Sequence, residues 1–168
     1  MSNSAYATII KAEISGPSRV LFLKRSNGEW WLPGGAIPED YPDPKQAMYK
    51  WGMKHLGHWD WLLFGIGMWH LSSTAGGHAV HLFGSYLSTS GKIEIRDTAS
   101  GLTTDLAWFT AREIQLQLYD SKVIPWGQAK MAAYSLYELY DEDKRASGEQ
   151  LKDDLGVLGT GRAWKRPE

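Results

Sequence analysis

The chain has 168 residues, a net charge of −1 and no cysteine. That length suits one domain able to bury its own core, and the charge leaves no bulk basic field for nucleic acid or an acidic membrane. Without cysteine there is no disulfide, thiolate nucleophile or Cys–zinc site.

In chain order, residues 6–14 alternate enough for a first strand, and Gly16-Pro17-Ser18 reads as a turn. Residues 19–24 form a second strand, closed by a hairpin-type turn at Ser26-Asn27-Gly28. A helix opens at Pro44: Asp43 can cap it, Pro44 suits its first position, and Gln46 completes a capping box. Ala47, Met48, Trp51 and Leu56 supply its apolar contacts, and Gly57 can end it in a left-handed cap. Gly52 weakens it by about 1 kcal/mol relative to Ala. Strands are expected at 62–71, 79–87, 92–96 and 105–109, with a short helix beginning at Ala111-Arg112-Glu113-Ile114. A last helix runs over 127–143, with Ala129, Ala132, Ala133, Leu136, Leu139 and Tyr140 on one face. Residues 144–168 then change character, with polar residues and glycines at 156, 159 and 161. The organisation is therefore a domain over 1–143 and a charged, Gly-containing tail over 144–168.

No apolar run approaches the roughly 18 residues of a membrane span, because residues 59–71 are interrupted by Asp60, Gly65 and Gly67. The chain does not open on a basic-then-apolar leader, and a cytoplasmic setting is expected.

Three segments carry a resemblance. They are Trp30-Trp31-Leu32-Pro33-Gly34-Gly35, the strand Val20-Leu21-Phe22-Leu23-Lys24-Arg25 before it, and the late Asp105-Leu106-Ala107-Trp108-Phe109-Thr110. Together they resemble the Nudix hydrolase superfamily, whose MutT-like members hydrolyse nucleoside diphosphates linked to another group. The likeness covers roughly residues 5–140. It implies an α/β/α sandwich with a mixed central β-sheet, the 44–56 helix on one face and the 127–143 helix on the other. The family's box is a Gly, five residues, a Glu, seven residues, then Arg-Glu-apolar-any-Glu-Glu-any-Gly. Gly35 fits the opening glycine and Gly57 the closing one. Lys50 then falls on the Arg, Trp51 on the first helix Glu, and Lys54 and His55 on the Glu pair. The loop is one residue longer than the family's, so the early Glu falls near Tyr41 or Pro42.

The box helix is thus degenerate: 44–56 holds no carboxylate. Positions 51, 54 and 55 cluster on one helix face. In the family that cluster binds Mg²⁺ or Mn²⁺, hard ions that want oxygen ligands and that polarise the phosphoryl group. Trp51 offers no oxygen, Lys54 brings a positive charge, and His55 suits softer metals. Catalytic residues are therefore not assigned, with Glu113 or Asp105 as bases from outside the box if any chemistry remains. Glu39, Asp40 and Asp43 are weak metal candidates; Asp43 also reads as an N-cap, and the other two as solvated loop charges. No cofactor is expected unless hydrolysis survives, in which case it is Mg²⁺ or Mn²⁺. The resemblance implies a ligand site at Lys24, Arg25, Gly34, Gly35, Trp51 and Lys54, where cations beside indoles suit an anionic, base-bearing molecule.

Other constellations carry less. His55, His58 and Asp60 straddle the helix end, and His78 and His81 lie at odd separation in a strand, on opposite faces. Scattered, satisfied histidines are the plainer reading. Gly156, Gly159 and Gly161 lack the strand–helix context of a phosphate loop. Nine Trp and eight Tyr are many for this length, and Trp51 turns a polar position apolar: the cleft is either filled from within or binds something flat or apolar.

Three readings follow. The first is a Nudix-fold domain without metal-dependent hydrolysis that binds a nucleotide-like small molecule or a protein partner. The second is a divergent hydrolase of a nucleoside diphosphate derivative such as a nucleotide sugar. The third is an assembly or structural subunit, for which a homo-oligomer is an option.

Overall fold

In a computed structural model, the chain is described at residues 2–11, 17–41, 43–57, 63–71, 78–87, 93–117, 123–139 and 164–165. The elements in order are β1 (Ser2–Lys11), β2 (Arg19–Arg25), β3 (Trp30–Trp31), β4 (Gly34–Ile37), α1 (Pro44–Leu56), β5 (Phe64–Leu71) and β6 (His78–Tyr86). After a 3₁₀ turn at Ala99–Gly101 come β7 (Leu102–Phe109), α2 (Ala111–Leu116), α3 (Trp126–Leu139) and β8 (Trp164–Lys165).

The sheet is mixed. β1 and β6 pair in parallel along the length of β1, whereas β1–β2, β1–β4, β2–β3, β2–β7, β5–β6 and β5–β8 are antiparallel. The path runs β3-β2-β1-β6-β5-β8, with β4 joined to β1 and β7 to β2.

Alternation along β1 and β2 builds two cores, one on each face. Ala5, Ala7, Ile9, Leu21 and Leu23 meet Met48 and Leu56 of α1 on one side. Tyr6, Ile10, Val20 and Phe22 meet Ala129, Met131, Ala132, Ala133 and Leu136 of α3 on the other. The two helices therefore cover opposite faces, as expected. The α3 side also buries a polar contact, in which Ser135 Oγ donates to Thr8 Oγ1 at 2.7 Å. Both hydroxyls are fully buried, so the bond satisfies groups that would otherwise lose their water partners.

Helix α1 begins and ends as its sequence dictates. The Asp43 side chain accepts from the Lys45 backbone N–H, and Gly57 takes φ 82° at the C-cap.

Four segments depart from expectation. β1 starts at Ser2, and residues 12–14 of the expected strand lie outside the described residues. Gly34–Ile37, read as loop, is a strand paired with β1. The late strand begins at Leu102 rather than 105, because Arg25 and Leu102 extend the pairing of β2 with β7. Finally, residues 93–96 of the expected 92–96 strand have no regular structure. Ile93 and Ile95 are buried as alternation requires, but the Arg96 N–H donates to His55 O at 2.8 Å instead of joining a ladder. That bond satisfies a carbonyl of the last turn of α1, which the helix itself leaves open. Within the 144–168 tail, Trp164–Lys165 pairs with Trp69 and Met68 of β5.

Candidate functional site

The site arises from a division of labour along β1. β6 holds one edge of this strand throughout, so β2 and β4 must share the other. β2 pairs with β1 at Val20 and Arg19, then departs to meet β3 at Leu23 and Lys24. β4 takes over opposite Tyr6, Ala5, Ser4 and Asn3. Between them, Pro33 O accepts from the Ala7 N–H at 2.9 Å. The takeover demands a glycine. Gly34 has φ 134°, and a Cβ there would fall on the Ala5 carbonyl. Gln128 of α3 secures the approach from behind, its side-chain oxygen accepting from the Leu32 N–H at 2.9 Å.

Where the strands part, a cleft of about 580 Å³ opens between β4, the loop after it and α1. Its walls include Arg25, Gly34, Gly35, Tyr41, Lys50, Trp51, Lys54, His55 and Leu102. Arg25 lies on the sheet side. Its Nη2 donates to Gly34 O at 3.1 Å, and the guanidinium lies 4.9 Å from the Trp31 ring centroid. Burial pushes its pKa below the usual value, opposed by Tyr6 and Glu29; a guanidinium stays charged regardless. The same burial raises the Tyr6 phenol, with the Arg25 charge pulling the other way.

Helix α1 supplies the opposite wall. Lys50 is exposed and holds its Nζ 4.5 Å from the Tyr41 ring centroid. Lys54 is exposed. Trp51 is half-buried and leans on His55, with centroids 4.5 Å apart. His55 is 2% exposed. Its Nδ1 lies 3.0 Å from Asp97 O; a carbonyl only accepts, so Nδ1 carries a hydrogen and donates it.

The structure thus brings Arg25, Gly34, Gly35, Lys50, Trp51, Lys54 and His55 together. It does not bring the rest. Lys24 lies against the indole of Trp30 at 5.7 Å, on the α3 side of the sheet. Glu39 and Asp40 are exposed, and neither lines the cleft. Asp43 caps α1. Glu113 pairs with Arg19 at 3.1 Å and accepts from Thr110 Oγ1 at 3.3 Å, away from the cleft. Asp105 is exposed on β7. His78 meets Ser4 Oγ at 3.1 Å. His58 and Asp60 lie outside the described residues. Sequence reasoning missed Tyr41 as a wall residue. The signal was there, since the resemblance sets the family's loop Glu near Tyr41 or Pro42.

These residues do not fit the divalent ion that the Nudix box implies. Among the described residues no carboxylate lines the cleft, and three cationic side chains do. Among the described residues no group of three or more His, Cys, Asp or Glu is placed to hold a metal ion. Mg²⁺ takes oxygen ligands, commonly carboxylates with phosphate oxygens, and neighbouring ammonium groups oppose it.

No family model matches the chain, and no curated protein matches it. Solved structures do. The Nudix domain of Shewanella oneidensis NrtR complexed with ADP ribose aligns at TM-score 0.63 and 14% identity, over 82% of this chain and 88% of that one. A MutT protein from Methanosarcina mazei Go1 aligns at TM-score 0.56 and 19% identity, over 90% and 93%. An Ap4A hydrolase from C. elegans aligns at TM-score 0.55 and 12% identity, over 94% and 99%. At such identities the likeness is one of architecture. The chain has the Nudix fold, a mixed sheet between helices.

Proposed function

We propose that this chain is a Nudix-fold binding domain that holds a nucleoside-diphosphate-like ligand without metal-dependent hydrolysis. The observation that carries the reading is the lining of the cleft: Arg25, Lys50 and Lys54 with Tyr41 and Trp51, and no carboxylate among the described residues. Three cations beside two aromatic rings suit a molecule with anionic phosphates and a flat base. The family's chemistry needs metal-bound oxygen to polarise the phosphorus and prepare the water. Here Trp51, Lys54 and His55 occupy the corresponding turn of α1. A positioned base also contributes about 10²–10⁴-fold, and the two acids outside the box, Glu113 and Asp105, are not in the cleft. The ADP ribose bound by the NrtR Nudix domain, a structural neighbour, supports the choice of ligand class.

Indole fluorescence reads the reaction directly, because Trp51 is in the wall. Titration with ADP ribose and a nucleotide sugar in EDTA should give saturable quenching, and Lys54→Glu should weaken it about tenfold, the scale of one removed and reversed charge. Incubation of the same ligands with Mg²⁺ or Mn²⁺ should release no product. Metal-dependent turnover abolished by Glu39→Ala or Asp40→Ala would overturn the reading in favour of a divergent hydrolase.

A further inference from the structure

The mismatch between the cleft and a divalent ion has a consequence for which ligands it accepts. Resting on the binding reading above, we propose that the cleft takes its diphosphate as the free anion, and that Mg²⁺ on the ligand opposes binding. The cleft therefore selects diphosphates esterified at both ends, of the ADP ribose type, over nucleoside triphosphates wherever Mg²⁺ is present.

Lys50 and Lys54 are one helical turn apart on α1, about 6 Å along its axis, and both are exposed. Arg25 comes from the sheet side, facing α1 across the cleft, with its Nη2 held on Gly34 O of β4. Phosphate oxygens entering here meet donors from two sides. Those donors need the same oxygens that a magnesium ion would occupy. A cleft with carboxylates can accept phosphate and Mg²⁺ together, because the carboxylates complete the coordination shell. Among its described residues this cleft offers the ion no anionic side-chain oxygen and three like charges. The ligand must shed its metal to bind, or bind against repulsion.

Ligand chemistry then decides who pays that penalty. A triphosphate holds Mg²⁺ across its β- and γ-oxygens. A diphosphate esterified at both ends carries one charge per phosphate and no terminal phosphate, so it holds Mg²⁺ far more weakly. In millimolar Mg²⁺ the first is almost entirely chelated and the second largely free. Without metal the order has no reason to favour the diester, since the triphosphate carries more charge into a cationic cleft.

The test uses ADP ribose and ATP as probes, the full chain, and fluorescence or calorimetric titration at matched ionic strength. Each ligand is titrated in EDTA and again in millimolar free Mg²⁺. The expected result is an ATP affinity that falls about tenfold or more on adding Mg²⁺, the ion having cancelled two ligand charges. ADP ribose should change less than about threefold under the same electrostatics. Lys54→Glu gives a second, independent readout: a carboxylate facing the phosphates should shrink the Mg²⁺ penalty on ATP or reverse it. Mg²⁺ that strengthens either ligand, leaves ATP unchanged, or weakens both equally overturns the inference while leaving a metal-independent binder intact. If neither ligand binds in EDTA, the binding reading itself fails.

Discussion

Trp51, which the box spacing sets against the family's first helix glutamate, packs against the edge of the α1-side core without closing the cleft. It is half-buried, it leans on His55 at a centroid separation of 4.5 Å, and about 580 Å³ stays open beside it. Such a position gives Trp51→Glu a moderate cost. The variant loses the ring contact and some apolar burial, but its carboxylate reaches the cleft rather than the interior, and Lys54 lies on the next turn to attract it. The expected loss is about 1–2 kcal/mol, read by urea unfolding, below the 2–5 kcal/mol that truncating a true core residue brings. A loss above about 4 kcal/mol would mean that the indole works as a core plug, and would sink its role as a ligand-facing wall.

At the scale of elements, the sequence was most legible where structure is local. Helix α1 runs over its expected residues because Asp43 and Pro44 mark the start and Gly57 the stop within a few residues of chain. β4 was not legible. Gly-Gly-Ala-Ile carries no alternation, and the strand exists only because β1 is opposite. Residues 93–96 failed in the opposite sense: Ile93 and Ile95 alternate as in a strand, yet the backbone bonds of Arg96 and Asp97 go to the end of α1. The site shows the same division. Spacing in the helix placed Lys50, Trp51, Lys54 and His55 together, whereas Lys24 was grouped with Arg25 although a period of two separates neighbours in a strand. The junction of β4 with β1 yields a paired prediction. Gly34→Ala should cost about 2–4 kcal/mol, since both its φ of 134° and the Ala5 carbonyl oppose a side chain. Gly35→Ala meets nothing within 4 Å and needs no positive φ, so it should stay within about 0.5 kcal/mol. Thermal and urea unfolding of the two variants decide it. Equal costs would show that β4 does not lie against β1 in this register.

At the scale of the molecule, the charge of the chain and the charge of the cleft have opposite signs. The whole carries −1, while Arg25, Lys50 and Lys54 line one concave surface bounded by apolar residues such as Ala5, Ile37 and Leu102. Low-polarity walls focus the field of the cations into the opening, so an anion is drawn there despite the overall balance. The two lysines are exposed and open to counterions, whereas Arg25 is partly desolvated, as its lowered pKa reflects. Salt should therefore remove the lysine contribution and spare much of the arginine one. Between 0.1 and 1 M salt the Debye length falls from about 10 to 3 Å. ADP ribose affinity in EDTA should fall about tenfold over that range and then level off, rather than vanish. Lys54→Gln should flatten the slope by roughly half, because one of two screened charges is gone. Arg25→Gln should instead lower affinity at every salt concentration with little change in slope. A binding curve indifferent to salt would show that the lysines do not meet the phosphates, and that the ligand is held by Trp51 and Tyr41 alone.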